Sequence, residues 1–313
     1  MIYFVNIYIK IFSRGNLVLN IIKNALITFD KTLSEYLSEK KNEISYDLSD
    51  FIFSKSKKLR PKIIFLYAKA LEIDISEKIT NLAICTELLH NSTLIHDDIV
   101  DDATIRRGKQ SLNKKLGNNL SVLAGDFLLS LSMKFLSNCN NIDCFKIFSN
   151  SLKLMCEGEI SQHFTKGKLP TMEEYIEKSK KKTAELFIAS LTSLCKITNK
   201  NEENALNFAT NFGIAFQIKD DLKNILETDL SKPSLNDIQN KIYTAPVILL
   251  NKNIENLSDK DIINLIQQKE IKEKTIELIK KYADMAIASL NNISDNQYKQ
   301  ELIKLSEDLY KAI

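Results

Sequence analysis

In the run Leu94-Ile-His-Asp97-Asp98-Ile-Val-Asp101-Asp102, Asp97 and Asp101 stand four positions apart. On a helix that spacing places both carboxylates on one face, about one turn apart. Two like charges ~6 Å apart at an effective dielectric of ~20 repel by roughly 2 to 3 kcal/mol, which calls for a counter-charge. Oxygen donors without a cysteine or clustered histidine beside them suit magnesium, a hard ion that keeps waters and bridges to phosphates. The alternative is a solvated acidic helix end paired with Arg106 and Arg107. A second cluster weighs against it. In Phe216-Gln217-Ile-Lys-Asp220-Asp221-Leu-Lys-Asn224, adjacent aspartates again end an apolar helical segment, with Gln217 close to one turn before Asp220. Two acidic helix ends facing one cavity would make a clamp for a metal-bound diphosphate.

A diphosphate also needs cations. Lys57-Lys58-Leu-Arg60-Pro61 opens a helix, so basic side chains join a helix N-terminus, itself favourable for phosphate. Arg106-Arg107-Gly108 follows the first aspartate motif directly, and Lys182-Thr183 lies in a helix that buries Ala184, Leu186, Phe187 and Ala189. Each group alone reads as a solvated patch; it is their combination with two aspartate pairs that points to a site.

The elements that position these residues are helices. With 7 Gly and 4 Pro in 313 residues, few tight turns are available, while 44% of the chain is hydrophobic, ample for a core. Helical patterns cover 17–40, 60–72, 76–105, 117–138, 142–165, 171–198, 202–228, 241–251 and several segments beyond 259, without a linker that would divide domains. The expected fold is all-α, one large helical bundle over residues 17–313 with a central substrate cavity. Residues 1–16 read as a peripheral extension, too short and interrupted to span a bilayer, and no other segment reads as long and apolar enough to cross one. A net charge of +3, from 43 basic and 40 acidic residues, gives no reason to expect a nucleic-acid partner. The five cysteines (Cys85, Cys139, Cys144, Cys156 and Cys195) show no CxxC pairing and read as buried free thiols of a reducing, cytoplasmic compartment.

In this order, the motifs resemble the trans-isoprenyl diphosphate synthase, or polyprenyl synthetase, family from about Leu33 onward. The run from Leu94 to Lys109 resembles the family's first aspartate-rich motif with its trailing arginines. Leu123-Ala-Gly-Asp-Phe-Leu128, Cys156-Glu-Gly-Glu-Ile160 with Gln162, and Lys232-Pro-Ser-Leu-Asn-Asp237 add independent matches. The resemblance implies an isoprenoid-synthase bundle that condenses isopentenyl diphosphate with an allylic diphosphate, working as a homodimer with three Mg2+ ions when substrate is bound. It assigns Asp97, Asp101 and Asp220 to the metals, with Asp98 and Asp221 as secondary acids. Arg106, Lys182 and Lys232 would neutralise the allylic diphosphate. Lys57, Arg60, His90 and Arg107 would hold isopentenyl diphosphate, and Thr183 and Gln217 would face the developing allylic cation. His96 reads as structural, and His163 has no assigned role. Transient membrane contact would release a greasy product.

The sequence departs from the family pattern at Asn224, where the second motif usually ends in aspartate, at Ser56 in place of glycine, and at Gln110 in place of proline. Product length is expected to depend on Ser92 and Thr93, with Leu89 and then Cys85 further along the same stripe. None is a bulky aromatic that would close a tunnel, which implies a medium-to-long product resembling those of heptaprenyl-type synthases for quinone side chains. On that expectation Ser92→Phe would shorten the product. A short-chain farnesyl or geranylgeranyl synthase, a regulatory subunit of a two-component synthase, and a helical terpene cyclase remain as alternatives. A regulatory subunit would typically lose the aspartates, and a cyclase has no need of the Lys57, Arg60 and His90 cluster.

Overall fold

The computed structural model describes residues 17–39, 44–54, 56–226, 237–238, 240–251, 254 and 257–313. The 1–16 extension and Lys232 lie outside the described residues. Helix α1 spans Leu17–Glu39, α2 Ser45–Phe53 and α3 Leu59–Ala70. Helix α4 spans Glu77–Val100 and begins at Ser76, whose hydroxyl accepts from the Ile79 N–H and so satisfies an otherwise unpaired donor. A two-stranded hairpin, β1 (Ile105–Arg106) and β2 (Lys109–Gln110), leads to α5 (Leu112–Leu116), α6 (Asn118–Ser137) and α7 (Ile142–Thr165). Next come α8 (Met172–Ser179), a π-helical turn (Lys180–Ala184), α9 (Glu185–Thr198) and α10 (Glu203–Leu226). The remainder is α11 (Ala245–Ile248), α12 (Asp259–Ile266), α13 (Lys269–Ala288) and α14 (Gln297–Lys311).

Two helices are central. Helix α4 is buried without interruption from Ile79 to Leu89, and α9 from Glu185 to Cys195. A helix apolar on every side must be surrounded by others. Helices α1, α3 and α6 pack on α4, helices α7 and α10 pack on α9, and α4 and α9 also touch each other. Helix α13 lies on α10, and α14 closes the bundle between α13 and α3. The all-α expectation holds, apart from the short hairpin.

Local differences from the sequence reading have physical causes. The helix expected over 76–105 stops at Val100, and Asp102 takes a left-handed φ of 49°. Arg106 and Arg107 therefore do not belong to a last helical turn but to the hairpin. Arg107 and Gly108, with φ of 54° and 78°, form its tip, and positive φ at both central residues suits the twist of a two-residue hairpin. Helices α2 and α5 were not anticipated. Helix α6, a 20-residue span with mean hydropathy 1.4, is by length and composition apolar enough to cross a membrane, contrary to expectation, although its Ala124, Leu128 and Leu131 are buried and it packs on α4. Four cysteines are buried as free thiols, whereas Cys156 is exposed.

Candidate active site

A cavity of about 950 Å³ opens where the C-terminal ends of α4 and α10 meet the π-helical turn. Asp97 and Asp101 line it from α4, and Asp220, Asp221 and Asn224 from α10. Arg60, His90, Arg106, Arg107, Lys182, Thr183 and Gln217 share the same space. Leu94, Met155, Leu186, Phe216 and Ile242 supply an apolar wall.

The helical i, i+4 relation between Asp97 and Asp101 survives, because the Asp101 N–H bonds to the Asp97 carbonyl at 2.8 Å. Burial pushes the Asp97 carboxyl up to about 6, helped by Glu159 and Asp101 and opposed by Lys182 and Arg106. The Asp101 carboxyl is raised for the same leading reason. Asp98 faces elsewhere: only 1% exposed, it accepts from Arg106 Nε at 2.8 Å and pairs with the same guanidinium through a second nitrogen. Burial works against the Arg106 charge, but this pair outweighs it and raises its pKa. Asp98 thus aims Arg106 at the cavity rather than binding there. Asp102 pairs with Lys114 at 2.6 Å.

The second motif is held by a relay of hydrogen bonds. Thr183 Oγ1 donates to Gln217 Oε1, Gln217 Nε2 donates to Asp221 Oδ1 at 2.6 Å, and the Tyr175 hydroxyl donates to Asp221 Oδ2 at 2.6 Å. Burial raises the Asp221 pKa, and the nearby Asp237 carboxylate raises it further. Asp220 is exposed at the cavity wall. Asn224 also lines the cavity, as a neutral oxygen donor.

Lys182 and Thr183 project from the π-helical turn, a widening of the helix that is frequent at functional sites because it re-aims side chains. Lys182 Nζ pairs with Glu159 of α7 at 2.7 Å, and burial notwithstanding, the carboxylates around it raise its pKa. On the opposite side, Arg60 lies 4.7 Å from the Phe187 ring centroid, and burial brings its pKa down to about 10 despite the Glu87 charge. Glu87, only 2% exposed, accepts from the Ser56 hydroxyl at 3.1 Å. Its charge also supports Arg107, which donates to the Phe51 carbonyl at 2.9 Å. Burial and the facing Arg60, Arg107 and Arg106 hold His90 well below the usual histidine range, so its imidazole is neutral near pH 7.

Some expected site residues lie elsewhere. Lys57 is exposed and does not line the cavity, although its charge is felt at Lys219 on α10. Ser92 donates to the Gly125 carbonyl at 2.8 Å, so it sits on the buried seam between α4 and α6. Leu89 is fully buried, and like Ser92 it is not part of the cavity wall, which Thr93 does join. Of the stripe expected from helical spacing, Ser92 therefore meets α6 while Thr93 faces the cavity. His96 pairs with Asp126 at 3.3 Å, a structural contact. Tyr175, Lys178 and Asp237 line the cavity without having been assigned roles in it. Tyr175 and Lys178 precede Lys182 by seven and four positions, a helical spacing that marks a shared face, whereas only the tertiary fold brings Asp237 beside Asp221.

Among the described residues no three acidic, histidine or cysteine side chains converge as a ready-made metal cage. Asp97 and Asp101 are two desolvated carboxylates on one face, a donor set that a divalent cation would neutralise.

The fold and cavity define an all-helical protein with two acidic helix ends and several basic side chains facing one space. The polyprenyl synthetase family profile matches residues 42–283, and the chain belongs to that family. It is a prenyltransferase, of the family that condenses isopentenyl diphosphate with allylic diphosphates. The chain is 34% identical over 310 residues to a prenyl transferase of Cyanidium caldarium, covering 92% of this chain and 95% of that protein. It is 30% identical over 313 residues to a decaprenyl-diphosphate synthase of Dictyostelium discoideum, covering 93% and 68%. Among solved structures, heptaprenyl diphosphate synthase from Staphylococcus aureus aligns with a TM-score of 0.83 at 25% identity, covering 92% of this chain and 98% of that one.

The raised Asp97 pKa makes a stability prediction with a definite sign. A carboxyl whose folded pKa lies above its ordinary 3.8 favours the fold when protonated, and that contribution is lost as pH rises through about 6. Metal-free protein should lose about 2 kcal/mol at this locus between pH 4 and pH 7.5. Magnesium should restore several degrees of Tm at pH 7.5 and little at pH 4.5. Scanning calorimetry at both pH values, with and without Mg2+, checks this; an equal magnesium effect at both would contradict it.

Proposed function

We propose that the chain builds a medium-to-long polyprenyl diphosphate by repeated addition of isopentenyl diphosphate to an allylic diphosphate, for quinone side chains. The observation that carries this reading is the single cavity joining both aspartate motifs to Arg60, His90 and Arg107, with an apolar wall between. The similarity to decaprenyl- and heptaprenyl-diphosphate synthases supports the longer product.

Asp97, Asp101 and Asp220 would hold magnesium, three ions when substrate is present. When bound, it would supply positive charge that stabilises the departing diphosphate. Arg106, aimed by Asp98, and Lys182 would neutralise the same group, with Lys182 exchanging Glu159 for phosphate oxygen. Arg60, Arg107 and neutral His90 would hold isopentenyl diphosphate. The wall of Leu94, Met155, Leu186 and Phe216 would exclude water from the allylic cation, while the Thr183 and Gln217 oxygens face it. The isopentenyl double bond then attacks, and a proton leaves to the released diphosphate. Substrate-side electrostatics of this kind need no protein nucleophile.

A homodimer is part of this reading. Leu120, Val122 and Leu123 of α6 are exposed, an apolar face suited to a second copy of the chain and readable by sedimentation. A cytoplasmic location is consistent with the free buried thiols, and membrane contact would occur only at product release. Incubation with Mg2+, labelled isopentenyl diphosphate and geranyl, farnesyl or geranylgeranyl primers should yield products beyond the length of the longest primer. Products ending at farnesyl or geranylgeranyl diphosphate would establish the short-chain reading, and absence of turnover would overturn both.

A further inference from the structure

Lys178 lies four residues before Lys182, on the same face of the helix that leads into the π-helical turn. Both line the cavity. Their surroundings differ. Lys182 is ion-paired with Glu159, whereas Lys178 makes no hydrogen bond or ion pair among the described residues and has its ammonium 5.7 Å from the Tyr175 ring centroid. That ring is itself fixed, because its hydroxyl is committed to Asp221 at 2.6 Å. Burial lowers the Lys178 pKa, and the Lys182 charge lowers it further, against the opposing Asp221 and Asp237 carboxylates.

A desolvated ammonium inside a cavity costs free energy unless an anion meets it. Here the ammonium is held near a fixed aromatic ring and shares the cavity lining with Lys182, Asp220 and Asp221. We propose that Lys178 is a further diphosphate-binding residue, contacting the oxygens of the allylic diphosphate beside those taken by Lys182. The inference rests on the reading that this cavity accepts an allylic diphosphate next to the two aspartate motifs. It adds a contact on the second-motif side, where Asn224 brings no charge.

Lys178→Met and Lys178→Arg in the full chain with Mg2+ test the assignment. Lys178→Met should raise KM for the allylic substrate about tenfold, a loss of one charge-assisted contact. KM for isopentenyl diphosphate should stay within about twofold, and Lys178→Arg should recover most of the loss. Calorimetric titration with inorganic diphosphate and Mg2+ should show a matching drop in affinity for Lys178→Met. The competing role is that Lys178 only neutralises Asp221 and Asp237. Then Lys178→Met would lower Tm and leave diphosphate affinity and the allylic KM unchanged, which would overturn the proposal. An equal rise in both KM values would overturn it as well. If the wild-type protein binds Mg2+ and diphosphate but turns over neither substrate, the functional reading fails while the titration still decides Lys178.

Discussion

Asp97→Ala should reduce kcat by at least about 10³-fold at saturating Mg2+, and Asp101→Ala by a similar factor. Removing a carboxylate from the metal-facing pair removes charge stabilisation of the leaving diphosphate, an effect of several kcal/mol in a water-excluded site. The same substitution should leave metal-free protein at pH 7.5 as stable as wild type, or more so. Burial has raised the Asp97 pKa to about 6, so the ionised side chain opposes folding at that pH and its deletion relieves the strain. Opposite signs on activity and stability distinguish a metal-facing acid from a structural one. The contrast is Asp98, buried against Arg106, where removal of one partner leaves an unpaired charge and costs about 3 kcal/mol or more. Steady-state kinetics and denaturant titration of Asp97→Ala read both quantities; retained turnover would refute the metal assignment, and a large loss of stability would make Asp97 structural.

Gly213→Val should destabilise the fold by about 3 kcal/mol or more and disable the site with it. A Cβ at Gly213 would stand 2.5 Å from the Ala184 Cα and 2.6 Å from its Cβ, so the obstacle is largely backbone and cannot swing aside. Overpacking of this kind costs roughly 1 to 3 kcal/mol, more where backbone must move, and the slightly better helix propensity of valine offsets only a few tenths. The displaced segment is the π-helical turn that carries Lys182 and Thr183. Thr183 also anchors the relay through Gln217 to Asp221. Any surviving folded fraction should therefore show a raised KM for the allylic diphosphate. A denaturant midpoint equal to that of wild type would show that α10 and the turn are not in close contact.

Much of the site was legible because its chemistry lies in short local patterns. Asp97 and Asp101 face one way because four residues make about one helical turn, and that relation holds up to the helix end. The helix that carries Ser92 was equally legible, but the direction in which Ser92 points was not. Spacing along α4 says which residues share a stripe; whether the stripe meets an open tunnel or another helix depends on where α6 lies, and Ser92 bonds to the Gly125 carbonyl of α6. Arg106 and Arg107 illustrate the same limit. Their identity was informative, while the hairpin that presents them depends on left-handed backbone at Arg107 and Gly108, which composition does not reveal.

The sequence by itself determined an all-helical chain with two acidic helix ends and separate basic groups, since helical periodicity and side-chain charge are local properties. It also pointed to a divalent cation with a diphosphate, since oxygen-only acids at that spacing beside basic groups suit that pairing. Tertiary structure alone decided that Asp98 holds Arg106 and that Tyr175 holds Asp221. Those assignments join residues up to 46 positions apart, as with Tyr175 and Asp221. Only the packing of α8 against α10 brings Tyr175 and Asp221 within hydrogen-bonding distance, and no periodicity along the chain encodes it.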